Sequence, residues 1–171
     1  MACSSLTAGI PKRCTSKMGG SYTFYLTEKS NVVLASGSTT GYIDSITMSG
    51  GTKFYEFVVS KDTCKVTDTY APFAGNNGGL WNEVLSLNFI RNEASVRNQI
   101  KILSDTELIG IVKNNDGAWW YFGKERGLNL GSAVWDSGAA PTDINQWAIT
   151  LVGAEVDPAY EVDPDIIAGL I

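Results

Sequence analysis

Short runs of β-branched and aromatic residues, broken by Gly, Asn, Asp and Ser, recur along most of the chain. Residues 22–26, 31–35, 42–48, 53–59 and 63–69 each have the length and composition of a strand. The stretches between them, at 36–41 and 49–52, are built from Ser, Gly and Thr and predict turns. Strands at this spacing predict a mainly β fold, an antiparallel sandwich or barrel, rather than a parallel α/β sheet.

Residues 81–90 form the clearest long strand. Trp81, Glu83, Leu85, Leu87 and Phe89 share one face, and Asn82, Val84, Ser86, Asn88 and Ile90 the other. The alternation from Leu85 onward predicts that the first face enters a core. The Gly/Asn-rich stretch before it, residues 70–79, reads as a loop.

The β pattern is interrupted once. Asn92 is placed to cap a helix over about 92–104, with Glu93 at the positive end of its dipole. Val96, Ile100 and Leu103 give an apolar stripe, and Arg97, Gln99 and Lys101 project elsewhere. The stripe predicts a helix packed against a sheet.

The strongest local signal follows. Residues 108–112 and 119–122 are almost wholly apolar and flank Asn114-Asn115-Asp116-Gly117, residues that tolerate the left-handed backbone of a tight hairpin. The last predicted strand is 146–153. The chain therefore divides into an N-terminal arm (1–20), a core (21–153) and a C-terminal arm (154–171), all within one domain. The C-terminal stretch is acidic, contains Pro158 and Pro164, and ends in Ile166-Ile167-Ala168-Gly169-Leu170-Ile171. Proline bars it from a central strand, and its apolar end predicts docking on a neighbouring molecule.

Composition narrows the function classes. A chain of 171 residues buries a sizeable core without disulfide or metal support. The charged fraction of 18% is low, as expected for a surface covered by partners or for a Ser/Thr/Asn-rich β surface. The net charge of −5 and the lack of a Lys/Arg cluster exclude a protein that grips nucleic acid. They are compatible with a surface that DNA slides past. Cys3, Cys14 and Cys64 are an odd, scattered set, unlike a disulfide framework or a zinc site. No stretch has the character of a signal peptide or membrane span, so the expectation is assembly in a reducing cytoplasm with no membrane anchor.

Histidine is absent, which removes the commonest general base and most nucleophile and metal systems. No phosphate-binding glycine loop is present. Two acidic groupings suggest chemistry: Asp157, Glu161, Asp163 and Asp165 as a calcium loop, and Glu56 with Glu83 as a glycosidase pair. The first reads better as a solvated tail, and the second is a pairing that any acid-bearing β protein offers. Trp119, Trp120 and Trp135 are candidate platforms for a sugar, with Trp135 in a Gly/Ser/Ala-rich loop over 131–141. For Trp119 and Trp120 the competing use is packing, with a core on one face and a helix or neighbouring subunit on the other. We assign no catalytic, cofactor-binding or metal-ligating residue, and no cofactor.

One wider resemblance runs along most of the chain. It comprises an opening arm with Cys14 and Gly19-Gly20, Phe54-Tyr55-Glu56-Phe57, a Gly/Asn loop, and a strand followed by the 91–103 helix. It continues through residues 111–117 with Trp120 and Gly123, and through 147–155 with Pro158-Ala159-Tyr160-Glu161. Taken together, this resembles small virion proteins of tailed bacteriophages, and in architecture the tail tube proteins. The resemblance implies a β-sandwich or barrel with a flanking helix that assembles into stacked, hexameric rings around a channel for DNA. It implies partners of three kinds: the chain itself, other tail proteins such as tape measure, terminator or baseplate, and DNA in transient, non-sticking passage. The implied location is the virion tail, assembled in the host bacterial cytoplasm. A tail terminator, a capsid-decorating protein and a carbohydrate-binding β-sandwich are the competing expectations.

Overall fold

The computed structural model describes residue 10 and residues 19–59, 63–75, 78–90 and 93–171. The expected N-terminal arm, with Cys3 and Cys14, therefore falls almost entirely outside the described residues, as does the Asn92 cap.

The chain is mostly strand. In order, the elements are β1 (Ser21–Glu28), a 3-10 turn (Lys29–Asn31), β2 (Val32–Ser36), β3 (Tyr42–Ile43), β4 (Ser45–Met48), β5 (Tyr55–Val58), β6 (Lys65–Pro72) and β7 (Gly79–Phe89). Then come α1 (Ala94–Asp105), β8 (Leu108–Asn114), β9 (Trp119–Phe122), β10 (Asn129–Asp136), β11 (Gln146–Glu155), β12 (Tyr160–Val162) and α2 (Pro164–Ile167).

Six strands form a first sheet in the order β3-β12-β9-β8-β1-β5, and four form a second, β10-β11-β7-β6; β2 and β4 make a separate ribbon. Pairing is antiparallel except between β12 and β3. The architecture is a sandwich with a flanking helix, and neither sheet closes into a barrel.

Two apolar layers result. Between the sheets lie Phe24, Leu26, Leu108, Val112 and Phe122 of the first and Leu85, Leu87, Ile149 and Leu151 of the second, with Ile100 and Leu103 of α1. The helical stripe thus packs as its spacing predicted, with Val96 at its margin. On the other side of the first sheet, Ile43, Ile109, Ile111, Tyr121 and Val162 are covered by Phe54, Ile167 and Leu170 and by the β2–β4 ribbon. Strand β8 is covered on both faces, which is why residues 108–112 carry no polar alternation.

Several expectations are corrected. Residues 42–48 are not one strand: Asp44 interrupts them, its carboxylate accepting from the backbone N–H (2.9 Å) and hydroxyl (2.6 Å) of Ser38. These bonds hold the Asp44 carboxyl below its ordinary pKa. Glu93 is the N-cap rather than a first-turn residue, and its side chain makes no capping bond.

The loop expected at 131–141 is strand β10 as far as Asp136. A bulge between Leu130 and Ser132 resets the alternation there, so Leu130 and Ala133 both pack inward while the pattern along the chain looks irregular. The C-terminal stretch docks on its own chain rather than projecting toward a neighbour. Residues 160–162 pair with β9 and β3. Pro164 occupies the first turn of α2, where proline suits a helix, and Asp163 caps it by accepting from the Asp165 N–H at 3.0 Å.

Candidate functional site

Two regions carry features beyond packing. The first is the open side of the sandwich at β5. Among the described residues this strand ends the first sheet, paired only with β1, so its outer backbone groups have no strand partner there. Its side chains are unusually apolar for such a position: Tyr55 is 65% and Val58 77% exposed. Ile90, past the end of β7, and Ile102 of α1 are also exposed.

Behind Val58 a cleft of about 310 Å³ is lined by Phe57, Phe89, Val96, Ile100 and Ile149. Its Phe57 and Phe89 rings lie 6.0 Å apart at 55°, linking the two sheets across the opening. The sequence pattern placed these residues in strands and a helix, but gave no sign that β5 would be an edge.

The second region is the opposite end of the second sheet's inner face, where apolar rows give way to acids. Asp68 on β6 stands directly across from Glu83 on β7, which stands across from Gly153 on β11. One inward position further along β11 is Glu155, and Glu83 and Glu155 are each only 2% exposed. Burial among apolar neighbours pushes the Glu83 carboxyl up to about 8, and the nearby Glu155 and Asp68 charges add to this, although its bond to Gly123 opposes the rise. Burial likewise raises Asp68, whose Oδ2 accepts from the Ala159 N–H (2.9 Å) while its buried Oδ1 has no partner.

Both buried glutamates hold the segment that leaves the first sheet after β9. Glu83 Oε2 accepts from the Gly123 N–H at 2.8 Å. Glu155 Oε1 accepts from the Arg126 (2.8 Å) and Gly127 (3.2 Å) N–H groups, and its Oε2 from that of Glu125 (3.2 Å). These bonds satisfy buried backbone donors and join the two sheets at this end. Beside them opens a cleft of about 740 Å³, with Glu83, Glu125, Arg126 and Gly127 on its wall.

The other sequence candidates do not converge on one site. Glu56 is exposed on edge strand β5 of the first sheet and Glu83 is buried on β7 of the second, in keeping with the dismissal of that acid pair. Among the tail acids, Asp157 accepts from the Tyr160 hydroxyl (2.8 Å), Asp163 caps α2 and Glu161 lies exposed on β12. Among the described residues no group of three or more acids or cysteines is arranged to hold a metal. Cys64 is buried in the inter-sheet core, its sulfur accepting from the Asn88 N–H.

The tryptophans are engaged within the chain. Trp119 stacks on Tyr25 with centroids 5.9 Å apart and carries the Lys113 ammonium over its ring. Trp120 packs against the inter-sheet core. Trp135 lies on β10 opposite Trp147; its Nε1 donates to Asn145 Oδ1 at 2.8 Å, and the Arg97 guanidinium covers its ring. Arg97, expected only to project from the helix, therefore ties α1 to the second sheet.

No family model, curated protein or solved structure matches the chain.

Proposed function

We propose that the chain is a non-catalytic structural subunit that assembles with copies of itself, as a tail tube protein of a tailed bacteriophage does, into stacked hexameric rings around a channel for DNA. The observation that carries this reading is the open β5 edge. An edge strand open on one side and bearing exposed Tyr55 and Val58, beside an apolar cleft, is an aggregation hazard for a lone molecule and an assembly device for a ring subunit.

Ring closure needs a heterologous contact, in which one surface meets a different one on the next copy. The sandwich has such second surfaces in the outer strands β6 and β10, where Tyr70, Val134 and Trp135 are exposed. The net charge of −5 suits a lumen past which DNA slides without binding.

Electron microscopy of the purified protein over a concentration series tests the reading. Stacked rings or hollow tubes support it, and single rings that never stack favour a terminator or capsid accessory. Featureless small particles at every concentration contradict self-assembly.

A further inference from the structure

We propose that residues 123–127 form a pH-sensitive strap across one end of the sandwich, latched by Glu83 and Glu155 and loosened as the pH rises through the neutral range.

The geometry is that of a short bridge between two fixed points. On one side Phe122 is buried in β9. On the other, Leu128 is fully buried and exchanges two backbone hydrogen bonds with Leu108, at 2.8 and 2.7 Å. The strap starts and ends in glycines with left-handed backbone, Gly123 at φ +77° and Gly127 at φ +80°. A side chain at either is strained, so both ends turn where only glycine does so freely. Four strap N–H groups donate to side-chain carboxyls rather than to a neighbouring strand. The latch is thus made of titratable groups.

Glu83 is the sensitive element. Asp68 faces it from β6 and Glu155 stands near it on β11. Glu125 and Arg126 lie on the strap itself, and Lys29 and Glu107, an ion pair at 3.5 Å, flank the adjoining cleft. Tyr121 on β9 adds a buried hydroxyl with no partner. Glu83 is on the wall of the adjoining cleft yet only 2% exposed, so charging it places a buried carboxylate among like charges, whereas an opened strap exposes it to solvent.

The sign follows from linkage. With the strap closed the carboxyl is pushed up to about 8, chiefly by burial, and an open strap that hydrates it moves it back toward its ordinary range. Opening therefore becomes easier as the pH rises toward 8, by at most about tenfold per pH unit for one proton, and levels off above that. The local rearrangement exposes the inner end of the second sheet and enlarges the existing cleft.

Amide hydrogen exchange of the full chain between pH 5 and pH 9, corrected for the intrinsic pH dependence of exchange, tests the proposal. Protection at Gly123, Glu125, Arg126 and Gly127 is expected to fall relative to that of β8 amides as the pH rises, by up to about tenfold per pH unit, and to level off above about pH 8. In Glu83→Gln, which keeps an acceptor for Gly123 but cannot ionise, protection of the strap is expected to be independent of pH. Strap protection that tracks β8 at every pH in the wild-type chain overturns the proposal, as does an unchanged pH response in Glu83→Gln. The wild-type result stands by itself if that variant does not fold.

Discussion

Asp68 and Glu83 face each other as direct cross-strand partners on the inner face of the second sheet. Like charges so placed repel, and each carboxyl is pushed upward chiefly by burial.

The first prediction concerns global stability. A carboxyl whose folded pKa is raised keeps its proton when the unfolded chain has already lost it. Its favourable contribution is therefore complete at acidic pH and is lost as the pH rises from about 4.5 to about 8. Urea unfolding at pH 5 and pH 8.5 should show this decline, and Glu83→Gln should reduce it by on the order of a few kcal/mol. Equal pH dependence in the two proteins would count against the buried acidic end.

Asp68→Asn is expected to leave the fold intact and to raise the unfolding midpoint above pH 7. The amide keeps an acceptor for the Ala159 N–H and removes a desolvated charge whose Oδ1 has no partner. The gain should be roughly 1–2 kcal/mol, and thermal unfolding measures it.

Gly153→Ala is expected to destabilise by roughly 1–3 kcal/mol, the usual cost of overpacking. An added methyl would meet a Leu128 methyl carbon at 2.8 Å and the Gly127 carbonyl at 3.1 Å, in the narrow space beneath the strap. Chemical denaturation measures the loss.

Arg97→Ala should cost about 1 kcal/mol by removing the cation from the Trp135 ring, 4.7 Å away. Tryptophan emission should shift at the same time, because Trp135 is 40% exposed and the guanidinium shields its face. Unchanged emission and stability would show that the helix is held by its apolar stripe alone.

Much of the fold was legible because it follows local patterning. The alternation from Leu85 to Phe89, the stripe of Ile100 and Leu103, and the Asn-Asn-Asp-Gly turn all appear where side-chain spacing put them. What failed was pattern interrupted by a single residue. Asp44 splits a strand by bonding sideways to Ser38, and the bulge near Gly131 hides β10. At the C-terminus, Pro164 marks a helix start beside its Asp163 cap, a short signal outweighed by the acidic surroundings.

The candidate site was less legible. Glu83 drew notice only as a disfavoured partner for Glu56, and its actual neighbours, Asp68 and Glu155, come from strands whose pairing no local pattern reveals. The β5 edge is likewise a property of strand order rather than of the residues themselves.

The central claim is self-assembly through that edge, and the most direct measurement is negative-stain electron microscopy of wild type and Val58→Lys across the same concentration series. The account predicts rings or tubes for the wild type, and folded, unassembled particles for Val58→Lys, whose exposed site should change stability by no more than roughly 0.5 kcal/mol. Wild-type protein that stays as single small particles at every concentration, or rings that form equally well with lysine at position 58, would contradict it.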